Sequence, residues 1–159
     1  MTPPPTSVPD LTELPDTDLL KLDHQVCFSL QAASRAFGGV YREALRGLGL
    51  TYPQYLAMMV LWEHGPLPVK TIGERLHLDS GTLSPLLKRL ESAGLVRRER
   101  SPEDERSVTV HLTDAGAELH ERALPVPRSI LRATGLSVQE ILALQETLAR
   151  LTASLGKAG

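Results

Sequence analysis

One thiol stands out among the side chains able to do chemistry. Cys27 is the only cysteine in 159 residues, so no intrachain disulfide can form. A lone thiol in a reducing compartment is either inert core or a reactive nucleophile. The reactive form is the thiolate. A free thiol titrates near 8.5, and a helix N-terminus or suitable donors lower that value. Oxidation by a peroxide would give a sulfenic acid. No second cysteine is present to resolve it within the chain. The five histidines, His24, His64, His77, His111 and His120, follow no HExxH or cysteine-pair spacing, so no metal and no cofactor is expected. No phosphate loop, GxGxxG or GxSxG occurs either, so the chain does not read as an enzyme. A thiol peroxidase would need a resolving partner that it lacks.

A second set of residues could read DNA. On a helix from about Ser80 to Ala93, Leu83, Leu86, Leu87 and Leu90 fall within about 100° of arc. The opposite face carries Gly81, Ser84, Pro85 and Lys88, flanked by Thr82 and Arg89. Such a face is thin near its start and bears a few donors, so it can enter a major groove. Pro85 removes one helical N–H and predicts a slight kink. From Lys88 to Arg100 the balance is +3, and from Ser101 to Arg106 it is −2. Arg106 stands two residues after Asp104, whose carboxylate could hold the guanidinium through paired hydrogen bonds and aim it into a minor groove.

These residues need elements to position them. Residues 1–15 hold five of the twelve prolines and read as a disordered or draped arm. Over 16–48, apolar residues from Leu19 to Leu48 recur at steps of three or four, predicting one long helix. A helix of about 30 residues would span about 45 Å, long for a compact monomer of this size. Cys27 sits about 100° from the centre of its apolar stripe, on a small, polar flank with Gln31, Ser34 and Gly38. It would lie near a helix start if Asp23 or a neighbour caps the chain there. Thr51-Tyr-Pro-Gln54 fits a capping box, opening a helix to about His64. A third helix covers 69–76, and the turn His77-Leu78-Asp79 precedes the fourth. Alternation over Val96–Arg100 and Val108–Leu112 reads as a β-hairpin with one buried face. Helix resumes at about Thr113, with Pro125 and Pro127 breaking or kinking it. Ser137 to Glu140 opens a last helix whose Ile141, Leu144, Leu148, Leu151 and Leu155 form a coiled-coil-like seam, read as a dimer contact.

The predicted fold is therefore mainly α with a small β-hairpin wing, a winged helix-turn-helix. Its expected parts are the arm, the long helix, a DNA-binding lobe over 50–113, and dimerisation helices over 114–159. A net charge of −2 and a pI near 6.2 mean that DNA contact must come from a local patch. No stretch of eighteen apolar residues suggests a membrane span, and no signal pattern opens the chain. A cytoplasmic protein is expected.

Residues 67–119 resemble the core of the MarR family. The resemblance is carried by VKTIGERLHLDSGTLSPLLKRLESAGLVRRERSPEDERSVTVHLTDAGAEL, with Asp104-Glu105-Arg106 at the family's wing signature. It implies an interlocked homodimer that sets two recognition helices in successive major grooves of a pseudo-palindromic operator. It also implies a repressor released by a ligand or by oxidation. LDHQVCFSLQAASR, Tyr41, LTYPQYLAMMVLWEH and LDSGTLSPLLKRLE further resemble the organic hydroperoxide resistance regulators of single-cysteine type. That resemblance implies that Cys27 senses organic hydroperoxides and that Tyr41 and Tyr52 hydrogen-bond to it. A further tyrosine found in some members one turn after the cysteine is replaced here by Gln31. Tyr41 lies fourteen residues beyond Cys27, about 21 Å along a straight helix, so contact requires the tyrosine of the other subunit. The expected fates of the oxidised thiol are a mixed disulfide with a low-molecular-weight thiol or a sulfinic acid. The alternative reading is a MarR-type repressor released by a small phenolic ligand, with a passive Cys27.

Overall fold

The computed structural model describes residues 13–158. The proline-rich arm expected over 1–15 falls mostly outside the described residues. The chain forms two compact units, one ending at Gly39 and one running from Val40 onward.

The first unit departs from the single helix expected over 16–48. A short helix, α1 (Asp16–Leu19), is followed by a 3₁₀ turn (Leu22–His24), then by α2 (Val26–Leu45) and a 3₁₀ turn (Arg46–Leu48). The breaks fall at Lys21 (ψ 138°) and Gln25 (ψ 106°), which are extended. Local side-chain bonds compete with the helix there. His24 Nδ1 lies 2.6 Å from the Asp18 carbonyl oxygen. The Gln25 amide donates to the carbonyls of Leu19 and Lys21.

The second unit contains the core. Thr51 caps α3 (Tyr52–His64) with a reciprocal capping box: Gln54 N–H donates to Thr51 Oγ1 (3.4 Å) and Thr51 N–H to Gln54 Oε1 (3.0 Å). Then come β1 (Leu67–Pro68), α4 (Val69–Leu76), α5 (Ser80–Ser92), β2 (Val96–Arg100) and β3 (Val108–Leu112). The sheet order is β1-β3-β2 and both pairings are antiparallel, with Leu67 opposite Val110 and Arg98 opposite Val110 from the other side. The two-residue β1 was not expected. Helices α6 (Asp114–Ala123), α7 (Pro125–Thr134) and α8 (Val138–Ala158) complete the chain. Leu124 between α6 and α7 keeps helical angles, and Pro125 opens α7 where a missing N–H costs nothing. Ser137 and Glu140 bond reciprocally at the start of α8.

Leu45, Met58, Leu61, Ile72, Leu83, Leu87, Leu90, Val96 and Val110 are all but fully buried. They come from α2, α3, α4, α5 and the sheet, so the helix-turn-helix and wing share one core. By contrast, α8 buries no residue, and Leu142, Leu144 and Leu155 are exposed.

Three carboxylates held at element ends set the acid response. Asp79 and Glu140 titrate below the usual range because the backbone N–H, then the hydroxyl, of Thr82 and of Ser137 respectively bond to them. Glu91 is lowered by the Arg98 side chain and then by its N–H. A depressed folded-state value means that the unfolded chain binds more protons through this window. The stabilisation is therefore complete above the ordinary carboxylate range, near 4, and is lost as pH falls through the lowered values. The urea midpoint should stay flat from about pH 7 to pH 5 and fall below about pH 4. Replacing Asp79 and Glu140 together by Asn and Gln should flatten that fall.

Candidate DNA-reading interface and thiol site

Asp79 starts the second helix of the helix-turn-helix. Its side chain accepts the Thr82 N–H at 2.7 Å. The turn before it is closed by His77 in the left-handed region (φ 54°), a conformation that histidine adopts more readily than most side chains. Leu78 N–H donates to the Gly73 carbonyl at 2.9 Å. A Cβ on Gly73 would meet the Leu78 carbonyl oxygen at 2.8 Å, so the tight crossing of α4 and α5 needs glycine there.

The two faces of α5 separate as its sequence predicts. Leu83, Leu86, Leu87 and Leu90 are buried. Ser80, Gly81, Thr82, Ser84, Pro85, Lys88 and Arg89 are all exposed. Pro85 lies inside the helix, so it gives no N–H to the Gly81 carbonyl.

At the wing, one expectation is corrected. Asp104 does not hold the Arg106 guanidinium. Its carboxylate accepts the Arg106 backbone N–H at 3.0 Å, and its carbonyl accepts the Ser107 N–H at 2.9 Å. A carboxylate two residues ahead of an N–H closes an Asx turn more readily than it reaches round to the side chain. The guanidinium of Arg106 is exposed and bonds to no described residue. Among the other cations, Arg97 pairs with Glu99 and Arg98 with Glu91 at 3.1 Å. Lys88, Arg89 and Arg100 have no carboxylate partner among the described residues.

The thiol lies in the first unit. Cys27 is exposed and is the second residue of α2. Asp23, a candidate cap, lies inside the preceding 3₁₀ turn. Gln25 stands before the helix instead, its carbonyl accepting the Ser29 N–H at 3.2 Å and its amide turned back along the chain. The sulfur therefore sits in the first turn, beside the positive end of the helix dipole.

The tyrosines lie in the second unit. The rings of Tyr41 and Tyr52 are 4.4 Å apart, centroid to centroid. Tyr55, not singled out from the sequence, joins them at 6.0 Å from Tyr41. Its signal was its place one turn after Tyr52. Burial, followed by the neighbouring Tyr52 and Tyr55, raises the Tyr41 phenol above its usual value. It therefore remains a hydrogen-bond donor at neutral pH. Among the described residues no cluster of His, Cys, Asp and Glu could hold a metal, and no helix is long and apolar enough to cross a membrane.

A helix-turn-helix with a thin polar recognition face, followed by an antiparallel wing, defines a winged helix-turn-helix DNA-binding protein. Residues 50–108 match the MarR family. The chain is 49% identical over 138 residues to the organic hydroperoxide resistance transcriptional regulator of Bacillus subtilis (strain 168), covering 87% of this chain and 94% of that protein. Reduced AbfR bound to DNA has a TM-score of 0.74 at 36% identity, over 88% of this chain and 98% of that one. Overoxidized AbfR bound to DNA has a TM-score of 0.72 at 36% identity, over 87% and 98%. AbfR comes from Staphylococcus epidermidis. The chain belongs to the MarR family and is a transcriptional regulator.

Proposed function

We propose that this protein is a homodimeric repressor that leaves a pseudo-palindromic operator when organic hydroperoxides oxidise Cys27, thereby controlling peroxide-resistance genes in the cytoplasm. The observation that carries the reading is an exposed thiol in the first turn of α2, within 138 residues that are 49% identical to an organic hydroperoxide resistance regulator. Exposed Leu22, Val26 and Phe28, and exposed Leu142, Leu144 and Leu155 on α8, support a partner subunit that covers the apolar faces at both ends of the chain.

In the proposed step the thiolate attacks the hydroperoxide oxygen that bears hydrogen. The O–O bond breaks, and the alkoxide takes a proton and leaves as an alcohol. The sulfur, oxidised by two electrons, becomes a sulfenic acid. A low-molecular-weight thiol then condenses with it, releasing water and forming a mixed disulfide. The overoxidized AbfR structure includes DNA. This supports the mixed disulfide over the sulfinic acid as the form that lets go of the operator. Tyr41 and Tyr52 of the neighbouring subunit act as phenol donors to the sulfur, and the bulk of the adduct disrupts them and swings the DNA-reading lobes. The test is an operator gel shift with cumene hydroperoxide and a small thiol. Wild type should release DNA and Cys27→Ser should hold it. Release of Cys27→Ser would favour a small-ligand repressor instead.

On the DNA side, Ser80, Gly81, Thr82, Ser84 and Pro85 meet the major groove, Lys88 and Arg89 meet phosphates, and Asp104 shapes the loop that presents Arg106 to the minor groove. Arg106→Ala should weaken operator binding by about 1–3 kcal/mol, and Lys88→Ala should lower the slope of log K against log salt by about one. Titrations at several salt concentrations check both. Unchanged affinity for Arg106→Ala would remove the wing from the interface.

A further inference from the structure

Glu91, in the last turn of α5, receives three hydrogen bonds from one residue of the wing. Arg98 N–H donates to Oε2 at 2.9 Å, while Arg98 Nε and Nη2 donate to Oε1 at 3.3 and 3.1 Å. The backbone bond is informative. With the order β1-β3-β2, β2 is an edge strand, and an edge strand leaves alternate N–H groups without a ladder partner. Glu91 satisfies one of them from the recognition helix. The other oxygen of the same carboxylate accepts from both Nε and Nη2 of Arg98, so backbone and side chain of one residue are held by one carboxylate through charge-assisted bonds. Arg98 keeps Glu91 ionised well below neutral pH, so the brace persists across the working range.

The connection between α5 and β2 is otherwise short and apolar. Leu90 and Val96 are buried on either side of it, and Gly94 has a φ of 75°. Such contacts hold the two elements together but are not directional. Backbone bonds from Gly94 N–H to the Glu91 carbonyl (2.9 Å) and from Leu95 N–H to the Leu90 carbonyl (3.1 Å) close the helix end, and the directional side-chain contact between α5 and β2 is the Glu91–Arg98 set. Pairing also sorts the cations. Arg98 is neutralised, while Lys88 and Arg89 on α5, and Arg100 and Arg106 on the wing, have no carboxylate partner among the described residues.

We propose that Glu91 is a positioning residue for DNA binding: through Arg98 it fixes the angle between the recognition helix and the wing, so that Arg106 and the polar face of α5 engage their grooves together. The proposal rests on the reading that Arg106 contacts DNA. It makes Arg98 a strut and not a phosphate contact.

The test is a double-mutant cycle on operator affinity with Glu91→Ala and Arg106→Ala, accompanied by Glu91→Gln and Arg98→Ala. Stoichiometric titration would correct for any loss of active protein. Glu91→Ala should weaken binding about tenfold, within the range for losing one groove contact. Added to Arg106→Ala it should weaken binding by no more than about a further twofold, because coupled residues are not additive. Glu91→Gln keeps only one acceptor oxygen and sets an amide N–H2 against the other donor group, so it should lose part of the brace and weaken binding by less than Glu91→Ala. Arg98→Ala should weaken binding without changing the salt slope. Hydroxyl-radical footprinting of Glu91→Ala should lose protection under the wing and keep it under the recognition helix, a pattern that general destabilisation would not give. Additive losses in the cycle, or a slope lowered by about one in Arg98→Ala, would overturn the proposal while leaving the DNA reading of the wing intact. A neutral Arg106→Ala would overturn both.

Discussion

Gly116→Ala should destabilise the DNA-binding lobe by about 3 kcal/mol or more, at or beyond the upper end for overpacking a filled site. A Cβ at this position would lie 2.0 Å from the Leu95 carbonyl oxygen and 3.0 Å from its carbon. Neither atom can swing aside as the tip of a flexible side chain can. The same carbonyl accepts the Thr113 N–H at 3.1 Å. Thr113 in turn caps α6, its Oγ1 accepting the Gly116 N–H at 3.1 Å and donating to the Gly94 carbonyl at 2.5 Å. On the other side, Trp62 Nε1 donates to the Gly116 carbonyl at 2.9 Å. Making room would therefore disturb the base of the wing, the α6 cap and the tryptophan contact at once. Domains of this kind hold only 5–15 kcal/mol in total. Urea denaturation followed by the fluorescence of Trp62, the only tryptophan, measures both the midpoint and the local contact. An unchanged midpoint would show that the helix–wing junction yields to a methyl group.

The second large effect concerns the proposed sharing of the thiol site between subunits. If thiol and phenols come from different subunits, a mixed dimer can be built that tells. One subunit carries Cys27→Ser, the other Tyr41→Phe with Tyr52→Phe. The tyrosines of the first would then face the cysteine of the second, leaving one intact site per dimer. This dimer should still release its operator on peroxide treatment. The Cys27→Ser homodimer should not respond at all. The double-phenylalanine homodimer should oxidise on the order of tenfold more slowly or worse, since each hydrogen bond to a charged acceptor is worth about 1.5–3 kcal/mol. A mixed dimer that oxidises as slowly as the double-phenylalanine homodimer would place thiol and phenols on the same chain and refute the shared arrangement.

Much of this molecule is written in local signals. Thr51 with Gln54, Asp79 before Ser80, Thr113 before Asp114 and Ser137 with Glu140 each mark a helix start through a bond closed within three residues, so they are legible without tertiary knowledge. The switch from a three-to-four-residue period on α5 to a two-residue period on β2 and β3 marks the wing in the same way. What escaped needed other information. Strand β1 is two residues long and exists only because Leu67 and Pro68 lie opposite Val110 and Thr109, a register set by the whole lobe. The breaks before α2 fall where the apolar stripe continues unchanged, so periodicity could not show them. They depend on His24 and Gln25 turning back to the carbonyls of Asp18 and Leu19 in α1. The Asp104–Arg106 pair was visible as a pair, but the carboxylate chose the nearer backbone N–H.

The central claim is that chemistry at one sulfur controls DNA occupancy. The most direct measurement follows a single sample of the operator complex after cumene hydroperoxide and a small thiol are added, taking the bound fraction and the intact mass at each time point. The proposed switch predicts that bound operator falls in step with a mass gain of one thiol adduct, mapped to the peptide containing Cys27. Operator released while that peptide remains unmodified would contradict it.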